Sequence, residues 1–311
     1  MNEKNIHVVF GKGPVGRSVV EELVKKGKAV RLVTRSGEAR NLPAGIEIVQ
    51  GDAADPESTR KVCAGAAVVY SCVNARDYQK WPEQFPPLQH GIVEGAASSS
   101  ARLVVMENLY MYGPHGGQAM TETTPLNGKG SRSTTRKQMT LDLWEAHRSG
   151  RVQVTSGRAS DFFGPDCQST MGEPVFKAAI EGKPAQVLGD PNQLHTYTYT
   201  KDIGRALVIL GERDEALGQA WHIPSPRTIT TREFIEMVYA EAGKPARMQV
   251  MPTWLISMVS PFIAPIRGIS ENYYQLTEPY IMDHSKFART FGDISTPLEQ
   301  AIRETMDFYR N

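Results

Sequence analysis

The chain has 311 residues, with 35 Lys and Arg against 34 Asp and Glu, and 40% apolar residues. That length buries a large core, in one large domain or two unequal ones. A formal net charge of +1 leaves no basic footprint for nucleic acid. No apolar run reaches the roughly 18–20 residues of a bilayer span. The nearest, Trp254–Ile266, is interrupted by Ser257, Ser260, Pro261 and Pro265. It reads as helix and turn, with a membrane-touching face as the alternative. The N-terminal Met-Asn-Glu-Lys-Asn leads straight into an apolar run and does not read as a signal peptide. Cys63, Cys72 and Cys167 are widely spaced, which fits a reducing, cytoplasmic setting. The seven histidines form no metal-ligand pattern, so no metal is expected.

The first apolar run, Ile6–Phe10, ends in Gly11-Lys12-Gly13-Pro14-Val15-Gly16 and passes into an amphipathic segment. That order reads as strand, glycine turn, helix. Gly11 permits the turn, Gly13 lets a pyrophosphate approach the backbone, and Gly16 lets helix and strand pack closely. Pro14 suits the first helical turn, and the free N–H groups there suit phosphate. Val19, Val20, Leu23 and Val24 make the helix's apolar face, and Gly27 ends it. Strands are predicted at Ala29–Thr34, Ile46–Gln50, Ala66–Val73, Leu103–Met106 and Val152–Thr155. Helices are predicted at Pro56–Ala64, Gln84–Ala97 and Ser133–Arg148, and Ser98–Ser100 reads as a turn before a strand. The alternation predicts an α/β fold, a doubly wound parallel sheet of Rossmann type. Gly113–Gly130 reads as a long functional or mobile loop.

A strand and helix follow at Thr196–Leu210, with Asp202 as a candidate cap. Helices are then predicted at Thr231–Ala242, about Thr253–Pro261, and Pro297–Tyr309. The expected organisation is a dinucleotide-binding domain over 1–165, completed by about 196–222. Residues 166–195 and 223–311 form a second, smaller C-terminal domain.

Several strand ends resemble those of the extended short-chain dehydrogenase/reductases of NAD-dependent epimerase/dehydratase type. They are the glycine turn, Gly51-Asp52, Tyr112-Gly113, Lys137, Gly157–Pro165, Tyr199–Ile203 and Asp283–Lys286 with Phe291-Gly292. The resemblance covers nearly the whole chain. It implies a nucleotide-binding oxidoreductase or epimerase-like enzyme acting on a small carbonyl or hydroxyl compound, and a homodimer. Family members use a Tyr-x-x-x-Lys pair and an upstream Ser or Thr. Here Lys137 matches the lysine, but Ser133 stands at the tyrosine and Asn108 at the upstream hydroxyl. The chain is therefore read as an atypical member, and a non-catalytic NADP-binding redox sensor is the alternative.

The resemblance assigns Lys137 to the nicotinamide ribose, Asp52 to the adenine amino group, and Cys72, Val73 and Asn74 to the cofactor lining. Asn108 is the candidate to polarise a carbonyl and Tyr110 the candidate acid. Tyr112, Asp161 and Phe162 are expected at the substrate, although Tyr112 also reads as a packed residue. Helical spacing puts Lys137 on one face with Ser133, Leu141 and Trp144. Where NAD sites carry an acid after the second strand, this chain has Thr34-Arg35-Ser36. Arg35, with Lys12, suits a 2′-phosphate, so NADP is preferred and NAD remains open. His115 and His195 read as loop or packing histidines, with an aromatic substrate wall of His195, Tyr197 and Tyr199 as an alternative. Trp81 and Pro82 read as either a cover or packing.

Overall fold

The structure, a computed structural model, describes residues 6–251, Trp254, Met258 and 269–310. The chain forms two compact units. The first takes residues up to Glu107, Thr135–Arg158 and Ile203–Ile223; the second takes Asn108–Thr134, Ala159–Asp202 and the chain from Pro224. The sequence reading carried the first domain on to residue 165, whereas 108–134 and 159–165 go with the second unit.

In the first unit the elements run β1 (Ile6–Phe10), α1 (Pro14–Lys25), β2 (Ala29–Thr34), β3 (Glu47–Gln50), α2 (Pro56–Val62) and β4 (Ala66–Ser71). Then come α3 (Trp81–Ser98), β5 (Arg102–Glu107), α4 (Ser131–Arg148) and β6 (Gln153–Arg158). The sheet order is Ala220–His222, β6, β5, β4, β1, β2, β3, every pair parallel. Central strands covered on both faces need no polar alternation, which is why they read as apolar runs. Val8, Phe10, Val69, Leu103, Val105 and Val154 build this core with Ile92, Ala96 and Leu143 from the helices. The order reverses between β1 and β4, and ligands bind open sheets of this kind beyond the carboxyl ends at that reversal.

Two expectations need correction. Leu141 does not share a buried face with Lys137; it is 41% exposed. The buried side of α4 carries Arg136, Met139, Thr140, Leu143 and Ala146, because an ion-paired arginine takes an inward position that a hydrophobic pattern assigns to solvent. Asp202 does not cap the helix Thr200–Glu212 but lies inside its first turn. Fully buried, its carboxylate accepts from the N–H and hydroxyl of Thr296 at 2.8 and 2.7 Å.

The second unit is built from short pieces. Asp161–Phe163 pairs with Tyr197–Tyr199 and Ala185–Leu188 with Met248–Met251, both parallel. The helices Glu173–Glu181, Thr231–Glu241 and Leu298–Arg310 pack with them around Phe163, Phe176, Phe234, Val238 and Ile302. Thr230 and Glu233 close a reciprocal cap on the middle helix. A second cluster joins Leu109, Met111, Tyr112 and Met120 to Tyr274, Tyr280 and Met282. The loop Gly113–Gly130 is tied in by Met120 N–H to the Ile281 carbonyl, 2.8 Å, and Asn127 N–H to the Tyr112 carbonyl, 3.2 Å. The helix expected near Thr253–Pro261 and the stretch Trp254–Ile266 lie outside the described residues, save for exposed Trp254 and Met258. Among the described residues no helix is long and apolar enough to cross a membrane.

One titratable group inside the sheet sets a pH limit. His7, on β1, is buried and its Nδ1 lies 3.2 Å from the Tyr70 hydroxyl. Burial, and then the charge of Lys28, lowers its pKa to about 4. The unfolded chain therefore takes up a proton that the fold refuses, and stability falls as pH drops from about 6.5 toward 4. The integrated loss is about 3 kcal/mol. Denaturant titrations of His7→Gln across this range should show a flatter acid limb than the parent protein.

Candidate functional site

The glycine turn has the geometry its spacing implies. Gly11 has φ +104°, and a Cβ there would stand 2.6 Å from the Cys72 carbonyl oxygen. A Cβ on Gly16 would stand 1.9 Å from the Gly11 carbonyl oxygen, so α1 starts in direct contact with the turn. Gly13 is the N-cap, with Pro14 in the first turn behind it, and a Cβ on Gly13 would meet nothing within 4 Å. The first-turn N–H groups lack helical partners. They stand where both bulk and negative charge are absent, and no acidic residue lies in that turn. This cradle fits a dinucleotide pyrophosphate.

The neighbouring strand ends assemble around it. Gly11 N–H donates to Val33 O at 3.3 Å, Cys72 N–H to Phe10 O at 2.9 Å, and Gly51 N–H to Thr34 O at 3.0 Å. Lys12 Nζ donates to the Glu38 carbonyl at 3.1 Å, and Arg17 to the Lys12 and Asn41 carbonyls at 3.2 and 3.3 Å. Arg35 is exposed on the turn these cations hold, and Asp52 is exposed with Oδ1 accepting from Ala54 N–H at 2.9 Å. Val15 is buried, Val73 half-buried and Asn74 exposed. Burial pushes the thiols of Cys72 and of Cys63, at the end of α2, up to about 12. Trp81 is buried at the start of α3, edge-on to Tyr78 and Phe85, which makes it a packing residue. Gly16→Ala should displace the turn and weaken dinucleotide binding at least tenfold, measured by calorimetry alongside a thermal melt.

Lys137 is half-buried on α4. Beside it lies a feature that no sequence pattern announced. Glu107, at the end of β5, is buried and receives hydrogen bonds from Thr140 Oγ1 at 2.6 Å, Ser156 Oγ at 2.8 Å and Arg158 Nε at 3.0 Å. Arg136 Nη2 lies 3.5 Å away, with its guanidinium 4.8 Å over the Phe85 ring. Burial alone would raise the carboxyl, but Arg158, Arg136 and the two hydroxyls outweigh it and hold the pKa below its ordinary value. The pairing ties together the ends of β5 and β6 and the turn of α4 that carries Lys137. A depressed carboxyl contributes stability above pH ~4.3, lost as pH falls through the folded-state value. Glu107→Gln should cost about 3–5 kcal/mol at neutral pH and remove that part of the acid dependence, read by denaturant melts at pH 7 and pH 3.5.

The remaining candidates belong to the second unit. Asn108 is half-buried, with Oδ1 accepting from Tyr110 N–H at 3.4 Å, and Tyr110 is half-buried. Tyr112 is 1% exposed within its apolar cluster, the packed position that was its alternative. Ser133 is fully buried against Gly128. Tyr197 and Tyr199 are buried too, with their hydroxyls on Thr231 and Glu304 at 2.7 and 2.8 Å. These two serve packing and not a substrate wall. The Phe162 carbonyl accepts from Ser169 and from the Cys167 thiol. Asp161 is brought against His195, Oδ2 to Nε2 3.1 Å. Thirty-odd residues of sequence hide that pairing. His115 sits between Tyr274 and Tyr280. Among the described residues no group of three His, Cys, Asp or Glu side chains could hold a metal.

Comparison with known proteins agrees with this geometry. The family model described as NAD dependent epimerase/dehydratase family matches residues 6–223. A 3beta-hydroxysteroid-dehydrogenase/decarboxylase of Arabidopsis thaliana is 23% identical, covering 97% of this chain; the chain spans 61% of that relative's length. Similar solved structures include UDP-glucose 4-epimerase of Thermotoga maritima, TM-score 0.79 at 17% identity, covering 98% of both chains. They also include the NAD-bound dTDP-glucose 4,6-dehydratase of Streptomyces venezuelae, 0.77 at 16%, covering 98% of this chain and 97% of the other. At these identities the structures speak for the fold.

Proposed function

We propose that this chain, which belongs to the NAD dependent epimerase/dehydratase family, is an NADP-preferring oxidoreductase or epimerase-like enzyme for a small carbonyl or hydroxyl compound. The observation that carries the reading is the Gly11–Gly16 cradle, closed to side chains and open ahead of the first helix. The bound nicotinamide supplies hydride transfer. The chain supplies the rest: Lys137 for the nicotinamide ribose, Asn108 to polarise the reacting carbonyl, and Tyr110 to hold or release its proton. Exposed Arg35, on the turn tied down by Lys12 and Arg17, supports a 2′-phosphate over a bare hydroxyl. A homodimer and a cytoplasmic setting go with the same reading.

A second reading rests on Ser133, which occupies the family's tyrosine position and is fully buried. It supports a protein that binds the nucleotide and reports redox state without turnover. Calorimetry with NADP and NAD, followed by a carbonyl panel, separates the two. The expected result is binding of NADP about tenfold or more tighter than NAD, a preference lost in Arg35→Ala. Turnover should fall sharply in Lys137→Ala. Binding without turnover favours the sensor, and no binding of either nucleotide at millimolar concentration overturns both.

A further inference from the structure

The connection between β2 and β3 carries Arg35, and residues 35–46, all described, form neither helix nor strand. Crossovers between parallel strands are usually built on a helix; this one is held by side chains. Gly37 turns it, with φ +71° and its N–H on the Thr34 carbonyl at 3.4 Å. The Glu38 carbonyl accepts from Thr34 Oγ1 at 3.3 Å, Ser36 Oγ at 3.4 Å and Lys12 Nζ at 3.1 Å. Three donors share an oxygen with two lone pairs, so each of these bonds is replaceable. Arg17 is placed differently. It is half-buried on α1, with Nε on the Lys12 carbonyl at 3.2 Å and Nη1 on the Asn41 carbonyl at 3.3 Å. One guanidinium thus spans the glycine turn and the stretch of loop beyond Arg35.

We infer that Arg17 is a positioning residue for nucleotide choice, holding the loop that carries Arg35 in fixed relation to the pyrophosphate turn. The inference rests on the proposed NADP preference and adds the residue that places Arg35. The two segments that Arg17 joins differ in what else holds them. Backbone fixes the glycine turn: Gly11 N–H donates to Val33 O at 3.3 Å and Arg17 N–H to Gly13 O at 2.9 Å. The Gly11 carbonyl also lies where a Cβ on Gly16 would stand. The loop has side-chain ties instead, so loss of the Arg17 side chain loosens the loop and leaves the turn in place. A 2′-phosphate needs its cation at one point relative to the pyrophosphate, and a 2′-hydroxyl makes no such demand. NADP affinity then falls while NAD affinity holds. Lysine cannot take over the part, because a single ammonium does not match the planar fork of a guanidinium. Lys12 can leave its shared carbonyl for a phosphate while Arg17 keeps the loop.

The test is calorimetry on the full chain with NADP and NAD, with a thermal melt of each variant. The variants are Arg17→Ala, Arg17→Lys, Arg35→Ala and the double variant Arg17→Ala with Arg35→Ala. In Arg17→Ala the preference for NADP over NAD should fall about fivefold or more, while NAD affinity changes by less than about twofold. Arg17→Lys should lose as much. Alone and with Arg35→Ala, it replaces the alanine variants should those fail to fold. The double variant should match Arg35→Ala alone, because a residue acting through Arg35 then has nothing left to place. Equal loss of both nucleotides in the Arg17 variants, full preference in Arg17→Lys, or a further loss in the double variant overturns the inference alone. A parent protein without NADP preference, or a preference undiminished in Arg35→Ala, overturns the NADP reading and the inference with it.

Discussion

A close approach between two backbones organises the first unit. The carbonyl oxygen of Gly11 occupies the space where any side chain on Gly16 would begin, and the carbonyl of Cys72 does the same to Gly11. Three consequences follow from that crowding. The helix starts within van der Waals reach of the β1 turn, the strand ends of β1 and β4 stay side by side, and the N-terminal amides remain uncovered. A chain with alanine at either position would have to pull helix and sheet apart, and the anion cradle exists only while they touch.

What was legible in the sequence was local. Ile6–Phe10 and Ala29–Thr34 announce themselves as apolar runs because both faces of a parallel sheet are covered. The strand limits fell within one or two residues of the structure at Glu47–Gln50 and Arg102–Glu107. The glycine spacing carried its geometry because each glycine answers one steric demand. What stayed hidden depends on partners far along the chain. Arg136 reads as a surface residue until Glu107, 29 positions earlier, and Arg158, 22 later, come to rest around it. Asp202 reads as a helix cap because its use, holding Thr296, is 94 residues away. The pairing of His195 with Asp161 falls in the same class, since neither residue has a neighbour in sequence that hints at the other.

The two units handle buried polarity differently. In the first, a carboxylate is surrounded by two guanidiniums and two hydroxyls, a fully satisfied anion whose removal would strand the arginines. Such a cluster fixes geometry, and its closure to solvent leaves it no chemistry of its own. In the second, the carboxylate has one ring nitrogen against it and an open side. The first arrangement holds its elements rigidly, and the second leaves a carboxylate partly open to solvent.

The elevated thiols have a consequence for durability. With a pKa near 12, Cys63 and Cys72 are ionised at neutral pH in only about one molecule in 10⁵. Peroxides and electrophiles attack the thiolate and not the thiol. Sulfur therefore lies directly behind the glycine turn in its protonated, less reactive form.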